Sequence, residues 1–128
     1  MDDAKEISDI LDKYFDQIEV EDIDYVPWDD AVSDVAYLLL IVPTAMLQEY
    51  LRLKGQNKNL PDGAEFWKAT NLRERLRHSN KYHGQGREPL GDILDFLGRD
   101  VQADYQELHD HGRIRLSIYE IPTEFHHS

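Results

Sequence analysis

Apolar side chains recur at steps of three and four residues throughout residues 28–53. This spacing keeps one face of a helix apolar. Near the middle of the stretch, Leu40, Ile41 and Ala45 make the other faces apolar as well. A helix that is apolar all round in a water-soluble protein must be surrounded by other elements. The pattern therefore predicts a buried central helix, which Pro43 should kink or divide.

Three further helices are predicted, at residues 4–18, 62–80 and 90–108, each with a row of apolar side chains along one face. Stretches rich in turn-forming residues, at 55–63 and 84–91, separate them. Helices therefore make up most of the predicted structure.

A strand is predicted at the C-terminal end. Residues 113–121 alternate polar and apolar side chains, which places Ile114, Leu116 and Ile118 on one buried face. A single strand leaves its backbone hydrogen-bonding groups unpaired, so it needs a partner. Residues 18–26 alternate imperfectly and are the expected partner within the chain.

These elements predict a mainly α fold, with four helices built around a buried central helix, a short C-terminal strand and at most a minimal two-stranded sheet. An α+β fold is the alternative. A length of 128 residues predicts one domain, residues 1–128, which is long enough to bury a core without disulfides.

Composition narrows the chemistry and the compartment. The chain has no cysteine, which excludes disulfides, thiolate metal sites and a thiol nucleophile. Asp2 and Asp3 follow Met1, and their charge is the wrong sign for a secretory signal peptide. The longest unbroken apolar run, residues 36–42, is far shorter than a membrane-spanning helix. We therefore expect a soluble, cytoplasmic protein.

Negative charge is concentrated at the N-terminal end of the sequence. Residues 1–34 hold thirteen carboxylates against two lysines, a local charge of −11, which leaves −1 for the other 94 residues of a chain with net charge −12. Such a region repels nucleic acid and attracts basic partners. Without a partner, the same carboxylates would act as a solvated surface that keeps the protein soluble.

The carboxylates of this region are spaced along a predicted helix and the connector that follows it. The candidate partner-binding residues are Asp9, Asp12, Asp16, Glu19, Glu21, Asp22, Asp24, Tyr25, Asp29 and Asp30. Carboxylates arranged in this way steer a basic partner during encounter, and an interleaved tyrosine supplies an aromatic anchor.

A small, acidic, cysteine-free and mostly helical protein resembles the immunity proteins that bacteria make against their own nuclease toxins. The resemblance is one of class and charge. It implies an inhibitor of the immunity or antitoxin type, because toxic nucleases must be basic to hold phosphate and spaced carboxylates compete for the same surface. The expected partner is a basic nuclease toxin domain, without direct contact to nucleic acid. A small scaffold protein or a DNA mimic is a further alternative.

A second resemblance rests on a short motif. Residues 77–84 read RHSNKYHG, which is similar to the R-x(4–6)-H signature of the HEPN ribonucleases (higher eukaryotes and prokaryotes nucleotide-binding). The resemblance implies an all-helical, usually dimeric enzyme that cleaves RNA without metal, with Arg77 steadying the phosphate and His83 in proton transfer. The same residues also fit an ordinary basic helix end whose arginines pair with the acidic N-terminal region.

Other site types have little basis in the sequence. His109 and His111, and the terminal pair His126 and His127, could ligate a metal, but no carboxylate stands at a suitable spacing. A capped helix end and a frayed tail account for these histidines. No metal site and no cofactor are expected, and the sequence favours a binding protein over an enzyme.

Overall fold

Residues 3–28, 33–79, 81, 90–98, 100–108 and 112–120 are described by the structure, a computed structural model of the chain. These residues form five α-helices, four β-strands and one short 3-10 helix. The helices are α1 (Asp3–Tyr14), α2 (Thr44–Leu53), α3 (Gly63–Ala69), α4 (Leu72–Arg77) and α5 (Leu90–Phe96). The strands are β1 (Glu19–Trp28), β2 (Ser33–Pro43), β3 (Gln102–Glu107) and β4 (Arg113–Glu120). The 3-10 helix (Phe15–Gln17) joins α1 to β1.

The four strands form one antiparallel sheet in the order β1-β2-β4-β3. β2 and β4 are therefore the central strands, and β1 and β3 are the edges. β1 pairs with β2 from one end of β1 to the other, from Glu19 opposite Ile41 to Trp28 opposite Ser33. β4 lies against β2 on one side and β3 on the other.

One face of the sheet, here called the inner face, is covered by the helices. Its buried apolar side chains on the two central strands are Ala36, Leu38, Leu40, Val42, Ile114, Leu116 and Ile118. They form a single hydrophobic cluster with helix residues that include Leu11, Met46, Tyr50, Phe66, Leu76 and Leu94. Burying each large apolar side chain is worth about 1.5–3 kcal/mol relative to leaving it in water. The inner face therefore supplies the main driving force for folding.

The helix α3 lies very close to the edge strand β3. A Cβ atom at Gly63 would stand 2.6 Å from the Cβ of Ala103, so only glycine fits at this contact. Trp67, one turn further along α3, is buried and donates its indole N–H to the carbonyl oxygen of Leu97 at 3.0 Å. The buried indole thus has the hydrogen-bond partner that it needs.

The prediction of a mainly α fold is wrong, because the structure is α+β. Residues 33–43 of the predicted central helix form the strand β2, and residues 44–53 form the helix α2. Most positions of β2 are apolar, so its sequence fits the period of a helix as well as that of a strand. Its two neighbouring strands, β1 and β4, pair with its backbone on both sides, and this pairing makes the segment a strand. Pro43 ends the strand instead of kinking a helix.

The C-terminal strand is confirmed as β4, with Ile114, Leu116 and Ile118 buried. Its predicted partner is wrong. Residues 18–26 lie largely within β1, which pairs with β2, while β4 pairs with β2 and β3. The sheet is therefore twice as wide as the minimal sheet that the sequence suggested.

Two predicted helices are shorter than expected. The helix predicted at residues 90–108 ends at Phe96, and its C-terminal part is the strand β3. The helix predicted at residues 62–80 is divided into α3 and α4 at Asn71, whose φ of 57° is left-handed. Asparagine tolerates this conformation better than most residues, so the chain can turn there at small cost.

The alternation of β2 predicts unequal effects for two adjacent leucines. Leu40 is fully buried on the inner face, whereas Leu39 is half-buried on the opposite face. We expect Leu40→Ala to lower the free energy of unfolding by about 2–5 kcal/mol, the cost of a core cavity, and Leu39→Ala by about 1 kcal/mol. Urea denaturation of the two variants measures both values. Equal losses would contradict the strand and support a helix that is covered on all sides.

Candidate functional site

The candidate site is the face of the sheet opposite the helices, here called the outer face. Three rows of residues cross it from β1 through β2 and β4 to β3. The first row is Glu19, Ile41, Arg115 and Gln106; the second is Asp22, Leu39, Ser117 and Asp104; the third is Asp24, Tyr37, Tyr119 and Gln102. For Asp24 only the register position is described. Neighbouring residues in a row stand about 4.8 Å apart and the rows about 6.7 Å apart.

A β-bulge gives β1 its acidic outer edge. The register with β2 shifts between Val20 and Asp22, so that Glu21 is an extra residue in the strand. Without this shift, Glu21 and Asp22 would point to opposite faces. With it, both are exposed, while Val20 and Ile23 pack against the core. The bulge therefore explains the imperfect alternation of the sequence in this region.

Two arginines of β4 reach across β2 to glutamates on β1. The Nη1 atom of Arg113 lies 2.8 Å from Oε2 of Glu19. The Nε and Nη2 atoms of Arg115 lie 2.5 Å and 2.7 Å from the two carboxylate oxygens of Glu21. Ile41 lies on β2 between the paired strands and is only 5% exposed, as expected where arginine stems cover an apolar side chain. We call these two ion pairs the arginine clamps.

The clamp at Glu21 changes the acidity of both partners. Hydrogen bonds from the Arg115 guanidinium lower the pKa of the Glu21 carboxyl; burial opposes this in part, and the charge attraction to Arg115 adds a further lowering. The carboxylate in turn raises the pKa of Arg115. A bidentate guanidinium–carboxylate pair is the stronger form of such contacts. Both charges at this position are therefore already satisfied within the chain.

The rest of the outer face is more open. Tyr37, Leu39, Ser117 and Tyr119 are half-buried there. The O–H of Tyr119 lies 3.1 Å from Oδ2 of Asp104 and 3.3 Å from Oε1 of Gln102, two acceptors on β3. Burial, followed by the hydrogen bond to Asp104, raises the pKa of Tyr119.

Asp104 is a site residue that the sequence analysis missed, because it falls within a helix predicted there. The alternation of QADYQE in residues 102–107 is the pattern that could have revealed it. In the structure Asp104 is exposed and ends the second row on β3, whereas Asp22 ends the same row on β1.

The predicted partner-binding residues fall on two separate surfaces. Glu19, Glu21 and Asp22 lie on the outer face of the sheet. The α1 carboxylates belong to the helical side, where Asp9 lies 3.5 Å from Lys5 and Asp12 forms an ion pair with Arg75.

The remaining predicted partner-binding residues are Asp16, Asp24, Tyr25, Asp29 and Asp30. Asp16 is exposed on the 3-10 helix. The backbones of Asp24 and Tyr25 pair with β2, opposite Tyr37 and Ala36. Asp29 and Asp30 lie outside the described residues.

The basic region of the sequence is engaged in internal contacts. Arg77 lies 2.6 Å from Asp95 and 3.4 Å from Glu74, and the hydrogen bond to Asp95 raises its pKa. Arg75 pairs with Asp12 and stands 5.3 Å from the ring of Phe15. The predicted pairing of these arginines with the acidic N-terminal region therefore holds for Arg75, whereas Arg77 pairs with Glu74 and Asp95, which lie outside that region.

The motif that resembles the HEPN ribonucleases is only partly described. Arg77 lies in α4, but His83 is outside the described residues, so their pairing stays a prediction. The all-helical fold that the resemblance implied is wrong for this chain, which has a four-stranded sheet.

A metal site and a ligand-binding groove are the two other kinds of site that the described residues could form. No group of three or more metal-ligating side chains occurs among these residues, and His109, His111, His126 and His127 lie outside them. An open groove of about 610 Å³ lies beside the start of α2. Its polar lining is partly bonded to itself, since Gln48 donates to the carbonyl oxygen of Asn59.

Comparisons of the chain with protein-family models, curated proteins and solved structures found no match. Within the part of the chain that the structure describes, no helix is both long and apolar enough to cross a membrane. The function must therefore be argued from the outer face itself.

The clamp at Glu21 makes a testable prediction about pH. In the folded protein the pKa of Glu21 is lowered, so this carboxylate stabilises the fold above its unfolded pKa and loses that contribution as the pH falls through its folded pKa. We expect Arg115→Gln to return the pKa of Glu21 to the ordinary range, as measured by carbon-13 NMR of the carboxyl group. Arg113→Gln is the matched control and should leave the pKa of Glu21 low. An unchanged pKa in Arg115→Gln would show that the clamp does not form in solution.

Proposed function

We propose that this protein is an inhibitor of the immunity or antitoxin type, which neutralises a basic nuclease toxin by covering its nucleic-acid-binding surface. The outer face of the sheet is the proposed contact surface. The observation that carries the proposal is the pair of exposed outer-face carboxylates, Asp22 and Asp104, that have no cation partner among the described contacts and lie beside a partly apolar stretch of the sheet.

The charge of the outer face supports a basic partner. Its described charged side chains are Glu19, Glu21, Asp22, Asp104, Arg113 and Arg115, a net charge of −2. The chain as a whole carries −12. A nuclease must present cations to bind the phosphate backbone, so a surface of opposite sign competes for the same cations.

The part of the outer face between the carboxylates supplies apolar and aromatic contact area for a partner. Tyr37, Leu39 and Tyr119 offer aromatic and aliphatic surface between the carboxylates. Protein interfaces gain most of their affinity from a few buried aromatic or aliphatic anchors, while peripheral charges act mainly on the rate of encounter. The outer face combines both features on one rigid element.

The exposed carboxylates of α1 and of the 3-10 helix have a different role in this proposal. Asp9 and Asp16 lie on the helical side and are exposed, so they contribute to the long-range field of the protein without touching the partner. Fields of this kind speed association at low salt and are screened over about 10 Å at 0.1 M ionic strength. In this proposal the β1 residues of the acidic N-terminal region contact the partner, and its residues on the helical side steer the partner during encounter.

A matched pair of charge reversals separates contact from steering. Asp22→Lys and Asp16→Lys each replace one exposed carboxylate and change the net charge by the same amount. We expect Asp22→Lys to raise the dissociation rate of the complex, because it opposes a cation of the partner at a cost of about 2–5 kcal/mol. Asp16→Lys should only slow association, and that effect should fade as salt rises.

Surface plasmon resonance at two salt concentrations measures both rates, against a basic nuclease toxin domain that the wild-type chain neutralises in a nuclease assay. Circular dichroism of each free variant serves as the folding control. Equal dissociation rates for the two variants would move the contact away from the outer face. Failure of the wild-type chain to neutralise any member of a panel of basic nuclease toxins would contradict the proposed function.

A further inference from the structure

We call the second row of the outer face the channel, because on β4 the short Ser117 lies between the longer Arg115 and Tyr119 of the two neighbouring rows. A carboxylate stands at each end, Asp22 on β1 and Asp104 on β3, with Leu39 and Ser117 between them. Three strand spacings separate the two ends, a distance of about 14 Å. Both carboxylates are exposed.

The neighbouring rows form the two walls of this channel. Ser117 is short, whereas Arg115 and Tyr119, which precede and follow it on the same face of β4, are long. Tyr37 and Tyr119 stand directly opposite each other in the register and make one wall aromatic. The other wall is the clamp of Arg115, whose charge is balanced by two hydrogen bonds to Glu21.

The two carboxylates at the channel ends differ from those in the clamps. Oδ1 of Asp22 accepts the backbone N–H of Ile23 at 2.9 Å, and Oδ2 of Asp104 accepts the O–H of Tyr119 at 3.1 Å. Both donors are neutral, so the described contacts leave the negative charge of each carboxylate uncompensated. This charge is the feature that a cation from outside the chain would complement.

We propose that the channel is the anchor site for an arginine side chain of the basic partner, an inference that rests on the proposed function. The guanidinium stacks on the wall formed by Tyr37 and Tyr119 and bonds to Asp104. Arginine fits better than lysine, because its planar and weakly hydrated group stacks on aromatic rings and matches carboxylate geometry. The same face already holds two guanidinium groups on carboxylates, those of Arg113 and Arg115.

A second copy of this chain is a poorer occupant for the channel. Each copy carries a net charge of −12, and packing two outer faces together would bring uncompensated carboxylates towards each other. A basic partner removes this repulsion. Charge complementarity therefore selects the arginine of another protein.

The test uses the full chain and a small probe, N-acetyl-L-argininamide, with N-acetyl-L-lysinamide as the comparison. We expect the arginine probe to shift the ring resonances of Tyr37 and Tyr119 saturably in NMR titrations at low salt, and the lysine probe to bind more weakly. Tyr119→Phe keeps the aromatic wall and should keep arginine binding, whereas Tyr119→Leu removes the ring and should weaken it.

Two matched substitutions on β3 test whether the carboxylate of Asp104 itself contributes to binding of the arginine probe. Asp104→Asn and Glu107→Gln each remove one exposed negative charge from the same strand, but only Asp104 lies in the channel. We expect Asp104→Asn to weaken binding of the arginine probe by about two- to five-fold, the effect of losing one exposed charge pair. Glu107→Gln should weaken it less.

Four results would overturn the inference: equal binding of the two probes, equal losses in Asp104→Asn and Glu107→Gln, probe-induced shifts centred on Asp9 and Asp16, or ring shifts that depend on protein concentration without probe. The last result would identify a second copy as the occupant. Neutralisation of nuclease toxins is measured separately. A chain that binds the arginine probe as expected but neutralises no toxin keeps its channel and loses the proposed function. If the Asp104→Asn variant neutralises a toxin as well as the wild-type chain does, the proposed function stands and the channel is overturned, which is a fifth result against the inference.

Discussion

The side chains of the central strand β2 alternate between two faces that are covered in different ways, and the rest of the structure depends on this division. Helices cover Leu38, Leu40 and Val42 on the inner face. On the outer face, Ile41 is only 5% exposed and lies on the strand between the two that the arginine clamps connect. A slip of one residue in the register would exchange the two faces, so the clamps and the core enforce the same pairing.

The strong negative charge of the N-terminal region is distributed unequally by this fold. Part of it meets a local cation, as in the pair of Asp12 with Arg75, which attaches α1 to α4. Another part is neutralised by the clamps. Among the described side chains of the outer face, the carboxylates without a cation partner, Asp22 and Asp104, stand at the two ends of one row. In the described contacts, the arginines of β4 pair with Glu19 and Glu21 but not with the aspartates beside them. The uncompensated negative charge of the outer face is therefore confined to a few positions.

The sequence predicts the elements whose pattern fits a single period. β4 alternates strictly and is correctly predicted, whereas β2 carries apolar residues on both faces and fits a helix equally well. The turn at Asn71 and the bulge at Glu21 depend on long-range packing, so local spacing shows only an irregularity there. The candidate site follows the same rule. The acidic residues of β1 can be recognised in the sequence. That they share one sheet face with Asp104 depends on the strand order, in which β2 and β4 lie between β1 and β3.

The central claim is that the outer face, and not the acidic helix α1, contacts a basic nuclease toxin. Carbodiimide labelling of carboxylates, read by mass spectrometry in the free chain and in its complex with a toxin domain that it neutralises, tests this most directly. The account predicts that Asp22 and Asp104 lose labelling in the complex, while Asp9 and Asp16 keep it. Protection of Asp9 and Asp16, with Asp22 and Asp104 still labelled, would contradict it.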